Sequence, residues 1–595
     1  MSSKLDPKKE YGDRLRQRRD KAARCAKGDS RFANARLLVF AVLLALMLAA
    51  YFYPQVSWAW LWVPVLVFVG LMVAHGRLLR EKERCESAID HYEAALARLD
   101  GRWVGHGKPG ADLAPPDHLY ANDLDLFGPG SLFELLCMAK TREGERALAA
   151  WLCDPAPLET IHARQEAVEE LRNRLDLRED LALLGGHVRK GVEPHALRNW
   201  SSAPAVLSPR PPVTAWLLPA AAVITLGFLI KTGIGAPFFI VLAIELVYSR
   251  LHKKRLHEVM ESVQEPSREL RVLAEALHRL EQEHFTTSLL AGLRNTLRQE
   301  GREASRAIAR LDRLTDLHEM QHNIIFGPIA FVLLWGEHVA HAIERWRLRF
   351  GRHVPEWLDA LGELEALCSL SAYAFEHPND PFPEFAETGP RYEGKGLGHP
   401  LLPESTCVRN DVRLGEGLQL MLISGSNMSG KSTLLRTVGV NAVLAHAGAP
   451  VRAERLTLSP LQLGASLRTQ DSLWQGTSRF YAELLRLKQM IEAAQGPSPL
   501  LFLLDELLHG TNSHDRRIGA DALLKALVES GAIGLATTHD LAVTHVVDRL
   551  DGHATNVHFT DKLVNEKLEF DYKLKPGVVT EGNALKLMRN LGLPI

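Results

Sequence analysis

Residues 421–433 read MLISGSNMSGKST, an apolar run that passes into a glycine-rich loop and ends in Lys-Ser-Thr. The loop fits the pattern G-x-x-x-x-G-K-[ST]. Glycines let the backbone turn tightly, so that successive N–H groups and the start of the following helix face a polyphosphate. The stretch therefore predicts a nucleoside triphosphate site with contacts from Gly425, Ser426, Asn427, Met428, Ser429, Gly430, Lys431, Ser432 and Thr433.

The side chains at the end of this loop have distinct predicted roles. Lys431 is expected to reach the β- and γ-phosphates, and the hydroxyl of Ser432 is expected to bind Mg²⁺. An apolar run precedes the loop and an apolar helical pattern follows it, which is the strand–loop–helix context that the motif requires. The alternative is a glycine turn without a ligand.

Two further apolar runs end in residues that suit triphosphate chemistry. Residues 500–506 read LLFLLDE, a predicted buried strand that ends in two acids. Asp505 is expected to hold Mg²⁺, and Glu506 is expected to orient and deprotonate the attacking water. Residues 533–540 read IGLATTHD and place His539 where an imidazole can hydrogen-bond the γ-phosphate. The order of these three motifs predicts an ABC-type ATPase that hydrolyses ATP with Mg²⁺.

The composition of the whole chain excludes several other classes. With 595 residues the chain has room for several domains, and its formal net charge of −1 shows no overall excess of basic residues for nucleic acid. The six cysteines are scattered and form no C-x-x-C pair. This distribution argues against a zinc site or a disulfide framework and suits a reducing compartment.

Two pairs of apolar runs predict membrane hairpins. No Lys, Arg, Asp or Glu occurs between Arg36 and Arg77, and this stretch holds the apolar runs 37–53 and 58–74. A second pair covers residues 212–230 and 236–249. Each run approaches the about 20 residues that a spanning helix needs, so four transmembrane helices are expected. The alternative is four buried core helices.

Basic residues flank both hairpins and predict the orientation. The N-terminal head is rich in Lys and Arg, and basic clusters follow each hairpin, at residues 77–84 and 250–255. Because such clusters stay in the cytoplasm, we expect a multi-pass protein of the inner (cytoplasmic) membrane. Its N-terminus, helical core and ATPase domain would then lie in the cytoplasm. The long polar head argues against a cleaved signal peptide, and its basic residues could instead bind nucleic acid.

The motifs together resemble the ATPase domain of the MutS DNA mismatch-repair family. The resemblance is carried by GSNMSGKST at 425–433, LLDELLHGTNSHD at 503–515 and ATTHD at 536–540, with a similar signature segment at 470–483. Residues 126–136, 144–152 and 163–168 are similar to the start of that family's helical core and lever region. The membrane segments are not covered by it.

The resemblance implies a homodimer with composite ATP sites. It places Ser478 where the family presents a hydroxyl to the γ-phosphate bound by the other subunit, and Tyr572 where a ring stacks on adenine. The fold class expected is a C-terminal α/β ABC-type P-loop ATPase domain preceded by an all-α core/lever region and two transmembrane hairpins. The expected segments are a basic tail (1–34), a first hairpin (35–76), a first helical core segment (77–208), a second hairpin (209–250), a lever or coiled-coil segment that completes the core (251–376) and the ATPase domain (377–595).

The partner is left open by the sequence. The resemblance implies DNA and a clamp-like movement driven by ATP. The net charge of −1, and a basic tail with a hairpin where the family has its mismatch-reading domain, favour a protein partner at the membrane instead. A transporter is a further alternative, but the spans offer few polar residues for a substrate path. The last alternative is a scaffold protein with an inactive ATP site. The presence of all the expected site residues argues against it.

Overall fold

The computed structural model describes residues 5–53, 57–184, 194–298, 303–324, 326–467, 479–508, 511–564 and 567–579. The chain divides into two compact units. The first comprises Met1–His106 with Leu175–Arg189, and the second comprises Gly107–Arg174 with Lys190–Ile595.

The α-helices dominate the chain up to residue 376. Their bounds are α1 Pro7–Phe52, α2 Trp62–Leu99, α3 Leu132–Leu136, α4 Arg142–Cys153, α5 Leu158–Arg172, α6 Leu175–Leu184, α7 Pro194–Ser202, α8 Thr214–Thr232, α9 Ala236–Glu281, α10 Ser288–Thr296, α11 Ala304–Met320, α12 Gly327–Val332, α13 Trp335–Phe350, α14 Val354–Glu376, α15 Lys431–Ala447, α16 Arg479–Ala494 and α17 Ser513–Glu529.

The strands that the described residues form lie in the C-terminal region. Their bounds are β1 Glu384–Phe385, β2 Tyr392–Leu397, β3 Asn410–Leu414, β4 Leu420–Ser424, β5 Arg455–Leu458, β6 Gln462–Ser466, β7 Leu500–Leu504, β8 Ile533–Thr538, β9 Ala554–His558, β10 Asp561–Val564, β11 Lys567–Phe570 and β12 Lys575–Pro576. A helix-rich region followed by a mixed α/β domain is therefore confirmed.

The first unit is a pair of long antiparallel helices, α1 and α2, with α6 beside them. Ion pairs from Lys8 to Asp100 (2.8 Å) and from Arg19 to Glu93 (2.6 Å) join the start of α1 to the end of α2. Tyr92 donates a hydrogen bond to the buried Glu179 of α6 at 2.5 Å. Because α2 runs unbroken past residue 77, residues 77–106 belong with α1 rather than with the rest of the expected helical core.

Within the described ranges, three helices are long and apolar enough to cross a membrane: Pro7–Phe52, the helical stretch Trp58–Leu99, and Thr214–Thr232. Only 6%, 11% and 17% of their apolar windows are buried, so these side chains face outward rather than into a protein core. The fourth expected span, 236–249, is the beginning of α9. It is shorter than the about 20 residues that a full span needs, and Arg250 follows it directly.

The helical region of the second unit is organised around α14. Nearly every residue of α14 is buried, because the helix packs against both α4 and α5. Its Glu365 accepts hydrogen bonds from the backbone N–H groups of Lys140 (3.1 Å) and Thr141 (3.2 Å) just before α4, where helix N–H groups lack partners. In the same unit, α9 continues without a break from the apolar stretch into the charged one. The expected boundary at residue 250, between the second hairpin and the lever segment, therefore falls inside α9, where only the composition changes.

A six-stranded sheet with the order β12-β9-β4-β8-β7-β6 forms the centre of the α/β domain. The strands from β9 to β6 are parallel to their neighbours, and β12 is antiparallel to β9. Every residue of β4, β7 and β8 is buried, as expected for parallel strands that are covered on both faces. A second sheet, of order β1-β5-β2-β3, and the hairpin of β10 and β11 complete the domain.

The register of the central sheet places the expected site residues at one edge. Ser424 of β4 pairs with Thr538 of β8, and Leu504 of β7 pairs with Ala536. The residues that follow these strands therefore leave the sheet at the same edge. In open α/β sheets ligands bind at this carboxyl edge.

Candidate functional site

A cavity of about 790 Å³ opens at the carboxyl edge of the central sheet. It brings together residues from five separate regions of the chain: the glycine loop with α15, the end of β7, the segment around β3, the segment after β9 and the segment after β11. Its lining residues are Leu397, Leu402, Thr406, Val408, Asn410, Asn427, Met428, Gly430, Lys431, Ser432, Thr433, Leu434, Thr437, Asp505, Glu506, Phe559 and Tyr572.

Most of the site residues expected from the sequence line this cavity. Gly425, Ser426 and Ser429 belong to the same loop but are not among the lining residues, and neither is His539. Ser478 lies outside the described residues, so its expected role in a second subunit remains a prediction.

The glycine loop ends at Gly430, in a backbone conformation that only glycine adopts without strain. Gly430 has φ +102° and is the N-cap of α15, so the loop turns directly into the helix. The next residue, Lys431, is only 4% exposed, and its ammonium donates to the carbonyl oxygens of Gly425 and Ser426, both at 2.9 Å. Burial lowers the pKa of Lys431, and the nearby charges of Glu506 and Asp505 oppose that shift. The cation is thus held among the loop carbonyls next to both acids.

Two serine hydroxyls of the loop have no protein acceptor. The Oγ atoms of Ser426 and Ser429 are buried and make no hydrogen bond to the described residues. A buried hydroxyl without a partner is costly, so its presence in a loop of this kind fits a ligand rich in oxygen acceptors. These two hydroxyls are therefore a structural indication of a polyphosphate ligand, in addition to the sequence motif.

The two acids after β7 are tied to β8 by Thr537. The Thr537 hydroxyl donates to a carboxylate oxygen of Asp505 at 2.5 Å and accepts from the backbone N–H of Glu506 at 3.0 Å. Thr537 itself is fully buried. One side chain thus sets the position of both acids. Sequence reasoning missed it, although the segment ATTHD that contains it was identified for His539.

Glu506 lies at a bend that strains the backbone. Its φ is +50°, a region that non-glycine residues seldom adopt, and such strain tends to occur at functional sites. The bend brings its carboxylate to the cavity wall, where Oε1 lies 3.9 Å from Nδ1 of His539. His539 is therefore next to the acid expected to act as the base, although it does not line the cavity.

Tyr572 forms a section of the wall beside the glycine loop. A side-chain carbon placed on Gly430 would lie 3.1 Å from the Tyr572 ring, so the ring rests directly on the loop. Asn410 at the start of β3 holds the Tyr572 segment: its amide donates to the Tyr572 carbonyl (2.9 Å) and accepts from the Leu574 N–H (2.9 Å). Asn410 is a second residue that sequence reasoning missed, because its partner lies far away along the chain.

Comparison with known proteins assigns most of this chain to known domains. The sequence model of MutS domain V matches residues 421–595, and that of MutS domain III matches residues 119–371. The chain belongs to the MutS family. The segment matched to domain V begins at β4 and includes the glycine loop, both acids and His539.

Curated MutS proteins are about one-third identical to this chain over the residues that align. The endonuclease MutS2 of Thermus thermophilus is 34% identical over 42% of this chain and 32% of its own length. The DNA mismatch repair protein MutS of Natronomonas pharaonis is 33% identical over 43% of this chain and 29% of its own. The match thus spans about a third of the length of these relatives.

Proposed function

We propose that this MutS-family chain is a membrane-anchored ATPase that hydrolyses ATP to ADP and phosphate. The observation that supports the proposal is the cavity in which Lys431, Ser432, Asp505 and Glu506 meet. The match of residues 421–595 to MutS domain V supports the same activity, because the resemblance implies that this is the ATPase domain of the family. The exposed apolar helices support the membrane anchor.

The residues of the cavity divide the chemistry between them. Ser432 and Asp505 are hydroxyl and carboxylate groups suited to Mg²⁺, which would neutralise charge on the phosphates. Lys431 stabilises charge on the β- and γ-phosphates, and the Glu506 carboxylate accepts the proton of the attacking water. His539, 3.9 Å from Glu506, hydrogen-bonds the γ-phosphate or orients the base. Tyr572 stacks on the adenine ring.

The chain is proposed to act as a homodimer. Ser478 of one subunit would then complete the ATP site of the other, and closure of the two sites would drive a clamp-like movement of the helical region. Gel filtration coupled to light scattering, with and without a non-hydrolysable ATP analogue, tests this directly. A monomer under both conditions would rule out the composite site.

DNA is the first candidate for the partner, because the relatives that match this chain are named for DNA mismatch repair and for endonuclease activity. Phosphate contacts make DNA binding fall steeply with salt. Labelled duplex and branched DNA should therefore bind the detergent-solubilised chain at low salt and be released as salt rises. Absence of binding at low salt would favour the alternative, a protein partner at the membrane.

Replacement Glu506→Gln tests the ATPase assignment. The amide keeps the size of the side chain but cannot accept a proton, so ATP should still bind while turnover falls about 100-fold or more. Glu529→Gln, the same change on the exposed end of α17, serves as the matched control and should leave turnover unchanged. Hydrolysis by Glu506→Gln at the wild-type rate would show that the base is another group.

A further inference from the structure

A second cavity, of about 480 Å³, lies among α9, α11, α12 and α13 in the second unit. Helix α9 supplies five of its lining residues, all within three turns of the helix, and the end of α11 with the turn after it supplies three more. The residues from α9 are Ser249, Lys253, Leu256, His257 and Met260, and those from the end of α11 and the turn after it are His318, Gln321 and His322.

The polar side chains that line this cavity are mainly hydrogen-bond donors, and Lys253 is the lysine among them. Lys253 lines the cavity together with three imidazoles and supplies an ammonium group that can donate to an anion. Burial lowers the pKa of His318, so that ring is a neutral partner in the site. Among the described lining residues the carboxylate is that of Glu337, which is buried and engaged by the Tyr248 hydroxyl (3.3 Å) and by His341 (3.6 Å). The cavity therefore favours an anion.

The cavity lies beside the start of α8 and the end of the apolar stretch of α9. The hydroxyls of Thr214 at the start of α8 and Tyr248 on α9 are 3.5 Å apart, so both helices reach this level together. His338 of α13 hydrogen-bonds the Ala215 carbonyl at 3.1 Å. Ser249, next to Tyr248, already lines the cavity, and Lys253 lies one turn further along α9. An anion bound here would lie where the apolar stretch of α9 passes into its charged stretch.

Exposed apolar side chains surround the turn between α11 and α12, which also lines the cavity. Ile324 is 94% exposed, Ile329 is 52% exposed and Met320 is 48% exposed. Gln321, His322 and Gly327, from the same turn, face the cavity. Aliphatic groups held outward beside a cationic pocket match a ligand that is anionic at one end and apolar at the other.

We propose that this cavity binds the phosphate-bearing headgroup of an anionic phospholipid, with Lys253 as its principal charged contact. The acyl chains would lie along the apolar surface of α8 and α9 and against Ile324 and Ile329. The volume of the cavity is in the range of small-molecule sites. This inference rests on the proposed membrane attachment of the chain.

Native mass spectrometry of the full chain in a neutral detergent tests the site. In a neutral micelle no charged membrane surface contributes, so retained lipid reports the pocket itself. The probes are phosphatidylglycerol, phosphatidylcholine and inorganic phosphate. We expect phosphatidylglycerol to be retained at least about tenfold better than phosphatidylcholine, because both lipids carry the phosphate but the choline cation of phosphatidylcholine is repelled by Lys253. Equal retention of the two lipids, or binding of phosphate as tight as that of phosphatidylglycerol, would overturn the lipid site.

Neighbouring lysines on α9 provide a matched pair of variants. Lys253→Gln should reduce retention of phosphatidylglycerol about tenfold, and Lys253→Arg should restore it. Lys254→Gln removes the same charge one residue away from the cavity lining and should change retention less than threefold. Equal effects of the two glutamine variants would show a general basic surface and contradict the pocket. A chain that does not enter membranes at all would refute the proposed anchor, whereas a membrane-bound chain without lipid selectivity would refute only this inference.

Discussion

Thr537 shows how a single buried hydroxyl organises the catalytic edge of the sheet. Its oxygen donates to Asp505 and accepts from the backbone of Glu506, so β8 controls both acids at the end of β7. The bend at Glu506, with φ +50°, needs such support because the backbone there is strained. Thr537 is therefore a positioning residue, since it acts on the proposed ATP chemistry through two other residues.

The variant Thr537→Val keeps the shape of the side chain but removes its hydroxyl. Loss of one buried hydrogen bond costs about 1–3 kcal/mol, so kcat for ATP hydrolysis should fall about tenfold. The KM for ATP should change less than threefold, because the groups expected to bind the phosphates remain in place. Steady-state kinetics measures both constants.

Thr537→Ser is the control for that variant. It restores the hydroxyl and should recover most of kcat. A Thr537→Val enzyme that keeps its kcat but loses affinity for ATP would mean that Thr537 contributes to binding rather than to the position of the acids.

The start of β3 holds the aromatic wall of the cavity in place. Asn410 makes two hydrogen bonds, both at 2.9 Å, to the backbone of the segment that carries Tyr572. The Tyr572 ring in turn rests on the glycine loop at Gly430. The second sheet therefore contributes to the candidate nucleotide site through the first residue of β3.

Substitutions of Tyr572 and Asn410 should weaken the binding of the nucleotide's base and leave the binding of its phosphates unchanged. Stacking of a base on an aromatic ring is worth about 1–3 kcal/mol, so Tyr572→Ala should weaken ATP binding about tenfold. Asn410→Ala should weaken it by about fivefold, since the ring loses its fixed position but not its surface. Calorimetry with ATP measures both effects.

Two controls separate stacking from general damage to the loop. Tyr572→Phe keeps the ring and should bind ATP normally. Inorganic tripolyphosphate lacks a base, so its affinity should be the same for all of these variants. A parallel loss of tripolyphosphate binding would contradict a stacking role for Tyr572.

Helix α9 joins two regions of opposite character in one element. It begins with an apolar stretch and continues into a charged one, yet no break separates them. Pro266 lies within the charged stretch and has no backbone N–H to donate, so the hydrogen-bond ladder of α9 is interrupted there.

At the scale of the whole molecule, exposed apolar surface is the feature that needs an explanation. On α1 alone, Leu44 is 45% exposed and Leu48 is 50% exposed, within a run of similar residues. Exposed apolar areas of this extent mark contact with a membrane or with another protein. A spanning hairpin of α1 and α2 accounts for both the length and the composition of these helices.

Arginines placed in α1 distinguish the membrane from a protein surface. An arginine at the centre of a spanning helix costs about 2.5–3.5 kcal/mol, so Leu44→Arg with Leu48→Arg should prevent insertion of the first hairpin. Ser57→Cys, in the turn between the helices, reports the outcome through a thiol reagent that cannot cross membranes. Intact cells should be labelled at this cysteine in the otherwise native chain, and labelling should be lost with the two arginines.

Ala26→Arg is the matched control on the exposed, charged stretch of the same helix, and it should leave the labelling of Ser57→Cys unchanged. Labelling of Ser57→Cys only after cell lysis, even without the arginines, would contradict a spanning hairpin.

Local sequence determined much of this protein. The glycine loop, the two acids after β7 and His539 lie in short local motifs, so the resemblance of those motifs to the MutS family and the alternation of strands and helices around them predicted the α/β domain that follows a helical region. Length and the absence of charge were enough to identify the apolar helices, because both properties belong to single segments. The sequence also showed the four apolar runs. It did not predict that the fourth, 236–249, is the first part of the 46-residue helix α9.

Only the tertiary structure decided which distant residues support the candidate site. Thr537 reaches Asp505 through the parallel register of β7 and β8, and Asn410 reaches Tyr572 across more than one element of the domain. The cavity around Lys253 is formed by α9, α11, α12 and α13, which no local pattern places together. Hydrogen bonds and packing between residues far apart in the chain depend on the fold as a whole, and this is why the patterns of single segments could not predict them.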